Sequence, residues 1–94
     1  MNKDVGVDYF ANEYNEEHWK DYNQGFKPID IPANLLNTLP EDIIRPLIYL
    51  LGYDYTSKWI TMRFEDLDNQ TPLELSKTKK GIKALKAFIM RMPN

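Results

Sequence analysis

The 94-residue chain has no cysteine, a single histidine and only four glycines. Without cysteine there can be no disulfide framework and no thiolate-bound metal. The one histidine, His18, lies among Glu17, Trp19 and Asp21. Two helix-spaced ligands fall short of a metal site, so His18 reads as an exposed side chain on an acidic helix. A nucleophile would need a positioned base, and this histidine precedes any region that could form a pocket. Glycine-rich phosphate loops and dinucleotide fingerprints are missing. The stretch Asp66-Leu67-Asp68-Asn69-Gln70 has the acidity of a calcium loop but not its glycine, and Lys77 stands where the bidentate glutamate belongs. The longest apolar run, Leu47 to Leu51, is too short for a signal-peptide core or a membrane span. These gaps give no catalytic residue, no metal ligand and no cofactor. The expectation is a cytoplasmic, non-enzymatic protein with no membrane association.

What is present is a foldable core. Apolar residues make up 43% of the chain and aromatics 13%, enough to exclude global disorder. The length allows one domain with a modest core. The net charge of −2 conceals an uneven distribution. Up to Gln24 the acids Asp4, Asp8, Glu13, Glu16, Glu17 and Asp21 face only Lys3 and Lys20. From Lys77 onward Lys77, Lys79, Lys80, Lys83, Lys86 and Arg91 meet no acid. The plainest reading is two solvated faces that attract each other weakly.

The chain divides into an acidic, aromatic N-terminal arm, residues 1–32, and a helical domain, residues 33–94. In the arm a helix is expected from about Val7 to Asn23, aligning Phe10, Tyr14, Glu17 and Asp21, with Gly25 ending it. Pro28 and Pro32 push the segment between them toward extended geometry. Leu35, Leu36 and Leu39 suggest a short helical turn. Glu41 to Gly52 reads as a helix with early acids for its dipole and a glycine cap, in which Pro46 must lie in the first turn or cause a kink. Asp54 or Thr56 should cap the next helix, carrying Trp59, Ile60 and Met62.

Thr71-Pro72-Leu73-Glu74 forms a capping box with proline at the first helical position. Thr78 should cap a last helix, about Lys79 to Met92, with Ile82, Leu85, Phe88, Ile89 and Met92 on its apolar face. Lys79, Lys80, Lys83 and Lys86 then face outward, and the bases fall late enough to suit the helix dipole. Gly81 permits close helix approach, at about 1 kcal/mol relative to alanine. No strand pattern competes, so the fold class is all-α, a bundle of four to five short helices.

The run from Trp59 to Gly81 resembles the toxin-binding domain of the Xre/MbcA/ParS antitoxin family. The likeness is carried by Trp59, Leu67, Thr71, Pro72, Leu73, Glu74, Leu75, Thr78 and Gly81 in register. Arg63-Phe64 stands where that family has a Pro-Asn turn, Asn69 where glycine is common, and Ser76 where leucine is usual. The resemblance implies an antitoxin that binds a RES-type, NAD-consuming toxin and covers its active-site entrance without chemistry of its own. It also implies a tendency to form homodimers. Contacts are then expected from the last helix and tail: Lys79, Lys80, Lys83, Arg91 and Met92. The alternative is a stand-alone helical interaction module, or a phage- or plasmid-borne regulator, with a different protein partner. DNA is disfavoured, because the acidic N-terminus and apolar middle helices offer no polar recognition helix.

Overall fold

The computed structural model describes residues 5–92 and has the all-α class expected from the sequence. Residues 1–4 of the N-terminal region and 93–94 of the helical region lie outside the described residues. Six α-helices follow in order: α1 (Val7–Glu13), α2 (Glu16–Gln24), α3 (Glu41–Leu51), α4 (Tyr53–Trp59), α5 (Pro72–Leu75) and α6 (Lys79–Met90). A 3-10 turn, Glu65–Leu67, precedes α5, and Phe64 and Gln70 form an isolated antiparallel bridge around it.

The single helix expected over Val7 to Asn23 is two helices. Tyr14 and Asn15 are extended, and the Asn15 side chain caps α2 by accepting from the His18 amide at 3.1 Å. A short polar side chain that can bond its own backbone competes here with helix continuation. Gly25 follows the last residue of α2, as expected. The turn at Leu35 also stops short of a helix. The amides of Leu35 and Leu36 both donate to the Pro32 carbonyl, but Asn37 sits at φ 70° and ends the winding.

Pro46 lies in the interior of α3, beyond the first turn. Proline cannot donate to the carbonyl four residues back, which is that of Asp42. The Asn23 side-chain amide from α2 donates to that carbonyl at 2.6 Å instead. The gap in the α3 ladder is thus filled by a neighbouring helix. Gly52, at φ 85°, ends α3 and starts α4, a geometry that favours glycine. Neither Asp54 nor Thr56 caps α4. Thr56 is fully buried and its hydroxyl donates back to the Gly52 carbonyl at 2.7 Å. Met62 lies past the end of α4 and is exposed.

Two apolar clusters form the core. The larger gathers Trp19, Leu35, Leu39, Ile43, Ile44, Leu47, Ile48, Trp59, Ile60, Leu85 and Ile89. The smaller gathers Val7, Phe10, Leu67, Leu75, Ala84 and Ala87. Phe88 touches both, with ring centroids 5.4 Å from Phe10 and 5.5 Å from Phe64. Edge and tilted pairs of this kind add about 1 kcal/mol each beyond area burial. The segment expected as an arm is therefore part of the body. Phe10 and Trp19 are each only 3% exposed, and α1 lies mainly against α6.

Candidate functional site

The elbow from Arg63 to Gly81 is built by short-range bonds. The Thr71 hydroxyl accepts from the Glu74 amide at 3.0 Å, and the Glu74 carboxylate accepts from the Thr71 amide at 2.9 Å. Pro72 occupies the first helical position, as expected. Arg63 donates to the Asn69 carbonyl at 3.0 Å and to Glu74 at 3.3 Å, tying the turn to the start of α5 with one guanidinium. Asn69 is left-handed at φ 61°, the geometry its residue type tolerates. The Thr71 amide, more than any other group, holds the Glu74 carboxyl below its ordinary range; partial desolvation opposes this and Arg63 assists it.

Leu67 and Leu75 are buried in the smaller cluster, and Leu73 packs half-buried against the larger one. Trp59 is 4% exposed, stacks on Phe88 and meets Phe64 at a tilt. Thr78 caps α6 by accepting from the Gly81 amide at 2.9 Å. Gly81 allows the close approach expected of it: a Cβ there would overlap the Leu75 carbonyl and lie 2.9 Å from Leu75 Cα. The motif residues thus share one structural task, which is to set α5 across the start of α6.

The five residues expected to touch a partner separate into two groups. Lys79 and Lys83 are exposed and have no carboxylate partner among the described residues. With Tyr14, Glu16, Ile82 and Lys86 they line a shallow cleft of about 200 Å³. The other three are engaged within the fold. Lys80 pairs with Asp8 of α1. Arg91 donates to the Tyr9 hydroxyl at 3.1 Å and lies over the Tyr9 and Phe10 rings. Met92 packs against the larger cluster.

Two further expectations about α6 change. Its lysines do not fall late: Lys79 and Lys80 occupy the first turn, and no base lies in the last. Thr78 starts the helix immediately before them, so their charges oppose the positive end of the dipole, at about 0.3–1 kcal/mol each when exposed. Lys86 does not face outward. Its side chain is 17% exposed, 3.5 Å from the Asp42 carboxylate and above the Tyr14 and Trp19 rings at 5.7 and 5.3 Å.

Lys86 belongs to a network that sequence reasoning missed. Trp19 Nε1 donates to the same Asp42 oxygen at 3.0 Å, Asn23 donates to the Asp42 carbonyl, and Arg45 donates to Asn23 Oδ1. These groups border an open cleft of about 370 Å³ between α2 and α3. The signal available was Pro46, whose missing amide required an outside donor. A second unforeseen tie is Asp68, which accepts from the Val7 amide at 3.0 Å and caps α1 from the far side of the chain. His18 is exposed on α2. Among the described residues, no group of three or more histidines and acids could hold a metal, and no helix is long and apolar enough to cross a membrane.

Comparison of the chain with protein-family models, curated proteins and solved structures found no match.

Proposed function

We propose that the chain is an antitoxin-type binding module that neutralises a RES-type, NAD-consuming toxin by occluding its active site. The reading rests on the Trp59–Gly81 resemblance and on one observation above all, the electropositive start of α6. Lys79 and Lys83 stand exposed beside the positive end of a helix dipole, with no acid in the first turn and no ion-pair partner among the described residues. Every other part of the elbow obeys the local rules for caps and packing. Lys80 is compensated by Asp8, whereas Lys79 and Lys83 share their cleft with Glu16 as the one acid, and a local surplus of charge of this kind is found at functional surfaces. Such an edge suits an acidic rim on a protein partner, steering association and fixing register. The module supplies shape and charge, and no reacting group is required of it.

Co-expression tests this reading. A RES-type toxin that arrests growth should be tolerated when the chain is present. The Lys79→Glu, Lys83→Glu double variant should fold normally and fail to protect. Growth arrest that persists with the native chain, at equal expression, removes the antitoxin reading. Retention of the toxin on the native chain without protection would support the alternative, an interaction module that does not occlude the active site.

A further inference from the structure

We infer that α1 is an exchangeable element: two copies of the chain trade their N-terminal helices to form a reciprocal dimer in which α1 and α2 continue as one helix. Two residues alone separate these helices, Tyr14 (φ −61°, ψ 134°) and Asn15 (φ −133°, ψ 118°). Nothing from Val7 to Gln24 is glycine or proline, so the sequence permits an unbroken helix, roughly 27 Å long, over the whole stretch. Straightening would pair the amides of residues 15–18 with the carbonyls of residues 11–14, bonds that the extended backbone at the hinge forbids. What opposes this is the Asn15 cap on His18 and the docking of α1 on its own α6.

That docking site is complete without the covalent link to α2. Phe10 and Val7 enter an apolar seat formed by Leu67, Leu75, Ala84 and Ala87. Lys80 receives Asp8, and Arg91 receives Tyr9. The Gly6 amide donates to the Asp66 carbonyl at 2.7 Å, and the Val7 amide to Asp68. A straight α1–α2 helix carries Phe10 away from its own seat, while a second copy offers an identical one. The contacts of α1 with its seat are then remade across the dimer, and both copies gain the helical bonds of an opened hinge at the cost of the packing of Tyr14 against both clusters. The bent form keeps the advantage of intramolecular docking at low concentration, and exchange takes over as concentration rises.

Two substitutions push the hinge in opposite directions. Glu16→Pro places proline at the first position of α2, where it is favoured. Asn15 before it is already extended, as residues preceding proline prefer to be. The same proline is incompatible with the interior of a continuous helix. Asn15→Ala removes the cap and substitutes the best helix former. Light scattering over a concentration series should show the native chain passing from monomer to dimer. Asn15→Ala should dimerise at least about tenfold more tightly, and Glu16→Pro should remain monomeric, all three keeping helical circular dichroism.

Because the chain has no cysteine, exchange itself can be read directly. Chains carrying Asp8→Cys or Lys80→Cys alone are mixed, concentrated and treated with a short bismaleimide, which spans the gap that the lysine and aspartate side chains bridge in the native chain. A link joining position 8 of one copy to position 80 of the other, identified by mass spectrometry of the linked peptides and absent when Glu16→Pro is added to both chains, is the expected product. Monomer at every concentration for both the native chain and Asn15→Ala would overturn the inference. So would a Glu16→Pro chain that dimerises as readily as the native one, or a dimer that yields no such link.

Discussion

The elbow around α5 and the N-terminal pair α1–α2 are held by different kinds of bond. In the elbow the capping contacts join residues three apart: Thr71 with Glu74, and Thr78 with Gly81. Apart from the Asn15 cap on His18, the N-terminal helices are fixed across long stretches of chain. Asp68 caps Val7 over 61 residues, and Asp42 is bonded by Trp19 and Asn23 from 23 and 19 residues away. The elbow is locally specified and acts as a frame. The N-terminal pair is specified by the frame it lands on, and should loosen first when that frame is disturbed.

The largest effect that would sharpen this contrast is at Gly81. Gly81→Ala drives a methyl group into the Leu75 backbone, and overpacking against a carbonyl that cannot rotate away should cost about 3 kcal/mol in urea unfolding. A change under about 1 kcal/mol would mean that α5 and α6 are not held in close contact. Next is Asn23→Ala, which strips the donor from the Asp42 carbonyl and the acceptor from Arg45, at about 2 kcal/mol. The sharper test is the double-mutant cycle with Pro46→Ala. Restoring the α3 amide lets the helix satisfy Asp42 itself, so the cost of Asn23→Ala should fall by about half in that background. An unchanged cost would break the link between Pro46 and Asn23.

Smaller effects separate the regions further. Thr71→Ala and Asp68→Gly each remove one cap, at about 1 kcal/mol, glycine being chosen because position 68 is left-handed at φ 58°. Their hydrogen-exchange footprints should differ. Thr71→Ala should lower protection throughout α5 and α6, whereas Asp68→Gly should lower it in α1 alone. Identical footprints would erase the distinction between frame and docked helices. The smallest effect concerns pH. The Glu74 carboxyl is depressed in the folded state, so the stability it adds is present above the ordinary value of 4.5 and is lost as pH falls through its lowered folded value. Glu74→Gln should remove that part of the acid-side slope in melting temperature measured from pH 6 to 3. A slope equal to that of the native chain would show that the carboxylate is not held by the Thr71 amide.

What the sequence disclosed follows the same division. Thr71, Pro72, Glu74, Thr78 and Gly81 carried their structural roles openly, because capping and steric approach depend on neighbours within a few positions. The apolar face of α6 was legible in its spacing, although Ala84 and Ala87 were missed as the seat of α1. The break at Tyr14 and Asn15 was hidden because asparagine is acceptable both inside a helix and at its start. Lys86 looked like its lysine neighbours until Trp19, Tyr14 and Asp42 converged on it. A long aliphatic stem allows such a residue to bury its length while its ammonium finds a carboxylate. The two lysines left exposed, Lys79 and Lys83, could be separated from Lys80 and Lys86 only once the fold had assigned the acids.

Under the proposed antitoxin reading, the exposed start of α6 is the surface that grips the toxin. Calorimetric titration of a purified RES-type toxin with the native chain and with the Lys79→Glu, Lys83→Glu variant, at two salt concentrations, tests it most directly. Binding by the native chain should weaken with salt, and the dissociation constant of the variant should be at least about tenfold larger. Equal affinity for the two chains, or no binding by the native one, would contradict it.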